Sequence, residues 1–214
     1  MENFNRKQHW EKIYQTKELK DVSWYQPTPS TSLHFIETNL IQTSAKIIDI
    51  GGGDSFFVDH LLKLGFQDIT VLDISEAALE RAKLRLGEAA KKIKWIVADA
   101  ASFQPTEHYD FWHDRAAFHF LTQKDEIEHY IQTIAQHLKP NGILVLGTFS
   151  EQGPQKCSGI EIKQYSEKSM EESLSPFFEK MECFTVDHQT PFDTIQNFIF
   201  CSFKPKSNLA DEKN

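Results

Sequence analysis

The run Asp49-Ile50-Gly51-Gly52-Gly53-Asp54-Ser55 joins an apolar stretch to an amphipathic one. In alternating α/β chains that junction receives nucleotide-type ligands. Glycines at 51, 52 and 53 permit a tight turn and let backbone approach a ligand. Asp73 closes the next apolar stretch, 20 residues after Gly53, where a carboxylate can accept hydrogen bonds from ribose hydroxyls. Asp99, with Ala100 beside it, follows the stretch after that and is placed to meet an adenine edge. Either aspartate could instead simply cap the helix that follows it. Capping does not explain three acidic strand ends in succession. A dinucleotide pattern GxGxxG would need glycine where this chain has Phe56. Asp54 would also repel a pyrophosphate at a helix N-terminus and attract an ammonium or sulfonium. These residues therefore favour a cationic adenosyl ligand over NAD.

A second group of candidates ends another apolar stretch, Trp112-His113-Asp114-Arg115. His113 could serve as a base near neutral pH, or only pack against a cofactor. Asp114 could orient a cationic acceptor or that histidine, or pair with Arg115. Trp24 and Tyr25 adjoin the Pro-rich turn Gln26-Pro27-Thr28-Pro29. They could form a lid wall or an aromatic surface for a cation, or simply pack. Trp10 and Tyr14 read as one face of a helix resting on the sheet. Cys157, in a loop, could border an acceptor pocket or sit in a plain connection. His113, His119 and Asp114 match no strong metal-ligand spacing, and no metal is expected.

These residues must be held by a frame, and the frame is legible. Apolar stretches at Lys46–Ile50, Ile69–Asp73, Ile93–Ala98, Tyr109–His113 and Ile143–Phe149 alternate with helical patterns at Ser55–Leu64, Ser75–Leu86 and Lys124–Leu138. The last helix is stopped by Lys139-Pro140-Asn141-Gly142. Such alternation predicts a doubly wound, mainly parallel α/β sheet. Phe177–His188 and Asn197–Lys204 read as a late antiparallel pair. Residues 1–45 contribute helices at Asn5–Lys17 and from Ser30, with the aromatic segment between them. The core is expected over 46–204 and a frayed tail over 205–214.

Net charge is -8, which disfavours a broad nucleic-acid partner. No apolar run reaches the ~18 residues of a membrane span. Cys157, Cys183 and Cys201 show no CxxC spacing and read as reduced thiols of a cytoplasmic chain, with Cys183 and Cys201 as small buried apolar residues.

The segments DIGGGDS, VLDIS, WIVADA and LKPNG resemble the motifs of class I, seven-strand S-adenosylmethionine-dependent methyltransferases. That resemblance implies a Rossmann-like seven-strand fold and S-adenosylmethionine as cofactor. It implies Asp49, Gly51, Gly52, Gly53 and Ser55 at the methionine end, Asp73 and Ile74 at the ribose, and Asp99 with Ala100 at the adenine. His113 would lie beside the cofactor. Ser55 stands where the family usually has a third loop glycine. Longer stretches (DVSWYQPTPS, YDFWHDRAAFHFLT, GPQKCSG) resemble a group of bacterial methyltransferases and, more distantly, seven-strand protein-lysine methyltransferases. The latter often carry acidic-Lys-Gly where this chain has Asp114-Arg115-Ala116. The implied acceptor is a protein side-chain amine or a small molecule. Two rivals stay open: a nicotinamide-dependent oxidoreductase, and a non-catalytic module that binds S-adenosylmethionine to regulate a partner.

Overall fold

A computed structural model describes residues 4–207. Seven strands form one sheet: β1 (Lys46–Ile50), β2 (Asp68–Asp73), β3 (Ile93–Val97), β4 (Tyr109–Arg115), β5 (Leu138–Phe149), β8 (Phe178–Gln189) and β9 (Ile195–Pro205). A two-strand hairpin, β6 (Lys156–Cys157) with β7 (Ile160–Glu161), stands apart. The sheet order is β3-β2-β1-β4-β5-β9-β8. The first five strands run parallel, and β9 inserts antiparallel between β5 and β8. This is the expected seven-strand α/β sheet with its late antiparallel pair.

Helices α1 (Arg6–Thr16), α2 (Ser30–Thr38), α3 (Phe57–Lys63), α4 (Glu76–Leu86), α5 (Lys124–His137) and α6 (Glu167–Leu174) accompany the sheet. Asn5 caps α1 and Ser75 caps α4 through their side chains. Alternation along the central strands builds two apolar layers. Ile48, Trp112 and Leu144 pack with Tyr130 and Ile134 of α5, whereas Ile47, Phe111 and Val145 pack with Phe35 of α2 and Phe57 of α3. Both faces of the sheet are thereby buried, as parallel strands require.

Three expectations are corrected. The Lys139-Pro140-Asn141-Gly142 turn does not separate helix from strand. It lies within β5, whose Leu138 pairs with Tyr109 before a register shift re-aligns Ile143 with Phe111. The cysteines are not all free thiols: register sets Cys183 of β8 opposite Cys201 of β9, and the two are disulfide-bonded, leaving Cys157 as a buried free thiol. The tail expected from Pro205 starts as the last residue of β9, and residues 208–214 lie outside the described residues. Among the described residues no helix is long and apolar enough to cross a membrane.

Candidate active site

The carboxyl ends of β1, β2, β3 and β4 open into one cleft of about 1220 Å³, including its mouth. Asp49, Asp73 and Asp99 stand along it in the order of their strands, and Gly51, Gly52, Ser55, Ile74 and Ala100 complete that wall. The glycine loop is shaped by close approach. Gly51 has φ +64°, and a Cβ there would lie 2.8 Å from Cβ of Ala117. On Gly52 a Cβ would lie 2.5 Å from Asp49 Oδ2 and 2.8 Å from Val71. Gly53 backs onto Asp73 and the Tyr14 hydroxyl and is not itself among the lining residues.

Asp49 is buried, and its Oδ1 lies 2.7 Å from His113 Nδ1. His113 Nε2 in turn lies 2.9 Å from Ser32 Oγ of α2. Both ring nitrogens of His113 are therefore engaged, and the ring serves as a strut between α2 and Asp49. Asp49 Oδ2 has no hydrogen-bond partner, although buried carboxylate oxygens are costly to leave unpaired. An ammonium group in the cleft would satisfy it.

Asp73 accepts from the Ser75 N–H through Oδ1 at 2.8 Å. Burial raises its carboxyl to about 7, aided by Asp49 and Glu11 and opposed by the N–H groups of Ser75 and Ile74. Asp99 accepts a two-pronged contact from Arg6 Nη1 at 3.1 Å, while Arg6 Nη2 grips Glu126. Glu11 accepts from Ser75 Oγ and the Ala77 N–H, adding a second acid to the start of α4. Arg81 reaches back to the carbonyls of Tyr14 and Lys17. Helix α1 is thus tied down at both ends as a roof over the Asp73 and Asp99 end of the cleft. Sequence reading missed Arg6, Glu11 and Glu126, because contacts 93 or 120 residues apart leave no local signal.

Asp54 lines the cleft, but its carboxylate pairs with Arg85 and with Arg81, the latter at 2.9 Å, so its charge is already balanced within the protein. Asp114 also departs from expectation. It is fully buried, its Oδ1 accepts from the Ala117 and Phe118 N–H groups, and its Oδ2 accepts from the Tyr130 hydroxyl at 2.6 Å. It is absent from the cleft wall. Successive strand residues face opposite ways, so His113 reaches the cleft and Asp114 cannot.

Trp24 and Tyr25 both line the cleft, and so do Trp10 and Tyr14. Trp10 packs edge-on against Trp24 at 5.7 Å and Phe120 at 4.9 Å between ring centres. Tyr25 meets Phe56 at 6.1 Å. Cys157 lines the same end, where burial pushes its thiol up to about 11. His119 lies behind, its Nδ1 accepting from the Phe149 N–H, and burial pushes it down to about 3. Among the described residues no cluster of His, Cys, Asp or Glu is arranged to hold a metal ion.

The family "Methyltransferase domain" matches residues 47–142, which span β1 to β5 and all three cleft aspartates. That match covers under half of the chain. EEF1A lysine methyltransferase 2 of Danio rerio is 25% identical over 155 residues, 65% of this chain and 66% of that protein. Malonyl-[acyl-carrier protein] O-methyltransferase 2 of Ilyobacter polytropus is 28% identical over 49% of this chain and 39% of its own length. The chain thus spans less than two thirds of these curated relatives. The N-methyltransferase NodS of Bradyrhizobium japonicum WM9, solved with S-adenosyl-L-homocysteine, superposes with TM-score 0.71 at 16% identity, covering 95% of this chain and 100% of NodS. The methyltransferase fold therefore extends through α1 and the late strands.

The lining of the cleft fits S-adenosylmethionine. Its unpaired Asp49 oxygen suits the methionine ammonium, and Asp73 suits the ribose hydroxyls. Ribose hydroxyls donate to the ionised carboxylate. With Asp73 raised to about 7, the unliganded fold gains stability from the protonated acid, and that gain fades as pH climbs through about 7. Cofactor affinity moves the opposite way. We expect S-adenosylhomocysteine to bind roughly tenfold more tightly near pH 8 than near pH 6 in calorimetry, and Asp73→Asn to flatten that profile. A profile equally steep in the variant would assign the titration to another group.

Proposed function

We propose that this protein transfers the methyl group of S-adenosylmethionine to a small molecule or a protein side-chain amine, releasing S-adenosylhomocysteine. The observation that carries this reading is the succession Asp49, Asp73, Asp99 along one cleft, with an unpaired oxygen on the first. When bound, the cofactor supplies an electrophilic methyl on sulfur, and the acceptor's lone pair displaces the thioether in line. The chain's part is alignment and exclusion of water. In this reading Asp49 holds the ammonium, Gly51, Gly52, Gly53 and Ser55 supply the close-fitting loop, Asp73 and Ile74 hold the ribose, and Asp99 with Ala100 borders the adenine. His113 is a positioning residue that fixes the Asp49 rotamer. Trp24 and Tyr25 wall the acceptor. Asp114 supports the turn after β4 and takes no part in transfer.

A roof of α1 and the aromatic segment favours a small acceptor over a folded protein surface. Net charge -8 argues against a nucleic-acid acceptor. We place the reaction in a bacterial cytoplasm.

Calorimetry tests the reading. S-adenosylhomocysteine should bind at micromolar concentrations and NAD should not. Incubation with labelled cofactor and a cell extract should release S-adenosylhomocysteine and move label to the small-molecule fraction. Preferential NAD binding would favour the oxidoreductase, and cofactor binding without turnover would favour the regulatory module.

A further inference from the structure

We propose that Arg115 is the anion-binding group at the acceptor end of the cleft, and that the methyl acceptor is a small planar molecule bearing a carboxylate. This rests on the methyl-transfer reading and names its substrate class.

The chain has four arginines. Arg6, Arg81 and Arg85 each pair with carboxylates. Arg115 has no carboxylate within ion-pair distance among the described residues. Its hydrogen bond runs from Nη1 to the Trp24 carbonyl at 3.3 Å, and its guanidinium carbon lies 5.0 Å from the Phe198 ring centre. Burial lowers its pKa to about 10, which leaves it cationic at neutral pH. Asp49, beyond ion-pair distance and hydrogen-bonded to His113, is the one carboxylate that favours this charge, while His119 and His188 are pushed down and the Cys157 thiol is pushed up. A sequestered cation with one neutral acceptor is unfavourable unless something completes its shell.

Its place in the sheet says what that something is. The adenine, ribose and ammonium positions follow β3, β2 and β1 in order, and Arg115 ends β4, on the far side of β1. It pairs with Gly147 of β5, next to β9, where Gln196 and Phe198 also line the cleft. Trp24, Phe149 and Phe198 make this end of the cleft aromatic, and the guanidinium fork beside them suits a carboxylate. A cationic acceptor such as a lysine side chain would be repelled there.

The methionine carboxylate of the cofactor has the same chemistry, so the test separates the two sources. Benzoate, phenylacetate and indole-3-carboxylate, each against its neutral amide, are titrated calorimetrically into the wild-type complex with S-adenosylhomocysteine. At least one acid should bind roughly tenfold or more tightly than its amide. Arg115→Met should erase the difference and keep S-adenosylhomocysteine affinity within about threefold, and Arg115→Lys should retain part of it. No preference for any acid in the wild type overturns the proposal. So does an Arg115→Met variant that loses S-adenosylhomocysteine but binds its decarboxylated analogue like wild type, which would give the guanidinium to the cofactor. Failure of wild type to bind S-adenosylhomocysteine would instead remove the underlying methyl-transfer reading.

Discussion

Gly52→Val is expected to weaken S-adenosylhomocysteine binding by ~100-fold or more, since overpacking a close-fitting site costs up to about 3 kcal/mol. The position has no room for a side chain: even a single Cβ would meet Asp49 Oδ2 at 2.5 Å and Val71 Cγ1 at 2.8 Å. The branched side chain must displace Asp49 from His113 or push the loop into the cleft. Either movement spoils the ammonium site and the backbone cradle together. Leu84→Ala, on the exposed face of α4 and away from the cleft, is the control. Calorimetry on both variants, with circular dichroism to confirm folding, checks the expectation. Wild-type affinity in a folded Gly52→Val protein would mean the ligand does not use this loop.

Asp114→Ala is expected to cost about 3–5 kcal/mol of stability, because it orphans several buried donors at once. The Ala117 and Phe118 N–H groups and the Tyr130 hydroxyl all donate to this carboxylate, and Trp112 Nε1 donates to that hydroxyl at 3.2 Å. Asp114→Asn keeps an oxygen for the two N–H groups and turns its amide toward Tyr130, so its loss should be smaller. Urea unfolding at neutral pH measures both. If Asp114→Ala unfolds at the wild-type midpoint yet loses turnover, the residue belongs to the reaction and the placement here is wrong.

The contrast between His113 and Asp114 shows what the sequence could and could not convey. The strands, their order and the three cleft aspartates were legible, because apolar periodicity and strand-end acids are local patterns. The period of two was equally available, and it forbids neighbours at 113 and 114 from serving one pocket. The early part of β5 was obscured because Pro140 and Gly142 are turn residues, yet Leu138 still pairs with Tyr109 across a shift in register. Arg6, Glu11, Glu126 and the pairing of Asp54 with two arginines were invisible for a different reason. Each looks like an ordinary solvated charge on a helix or loop, and only the folded chain brings the partners together.

The way α1 is fastened bears on the tempo of the catalytic cycle. If the adenosyl ligand sits beneath this helix as proposed, its release is expected to involve loosening of Arg6 from Asp99 and Glu126 and of Glu11 from the start of α4. Most of those fastenings are charged and partly exposed, so dissolved ions compete for them. The residence time of spent cofactor should therefore shorten as ionic strength rises, while the bond-making step, sealed deeper in, is indifferent to it.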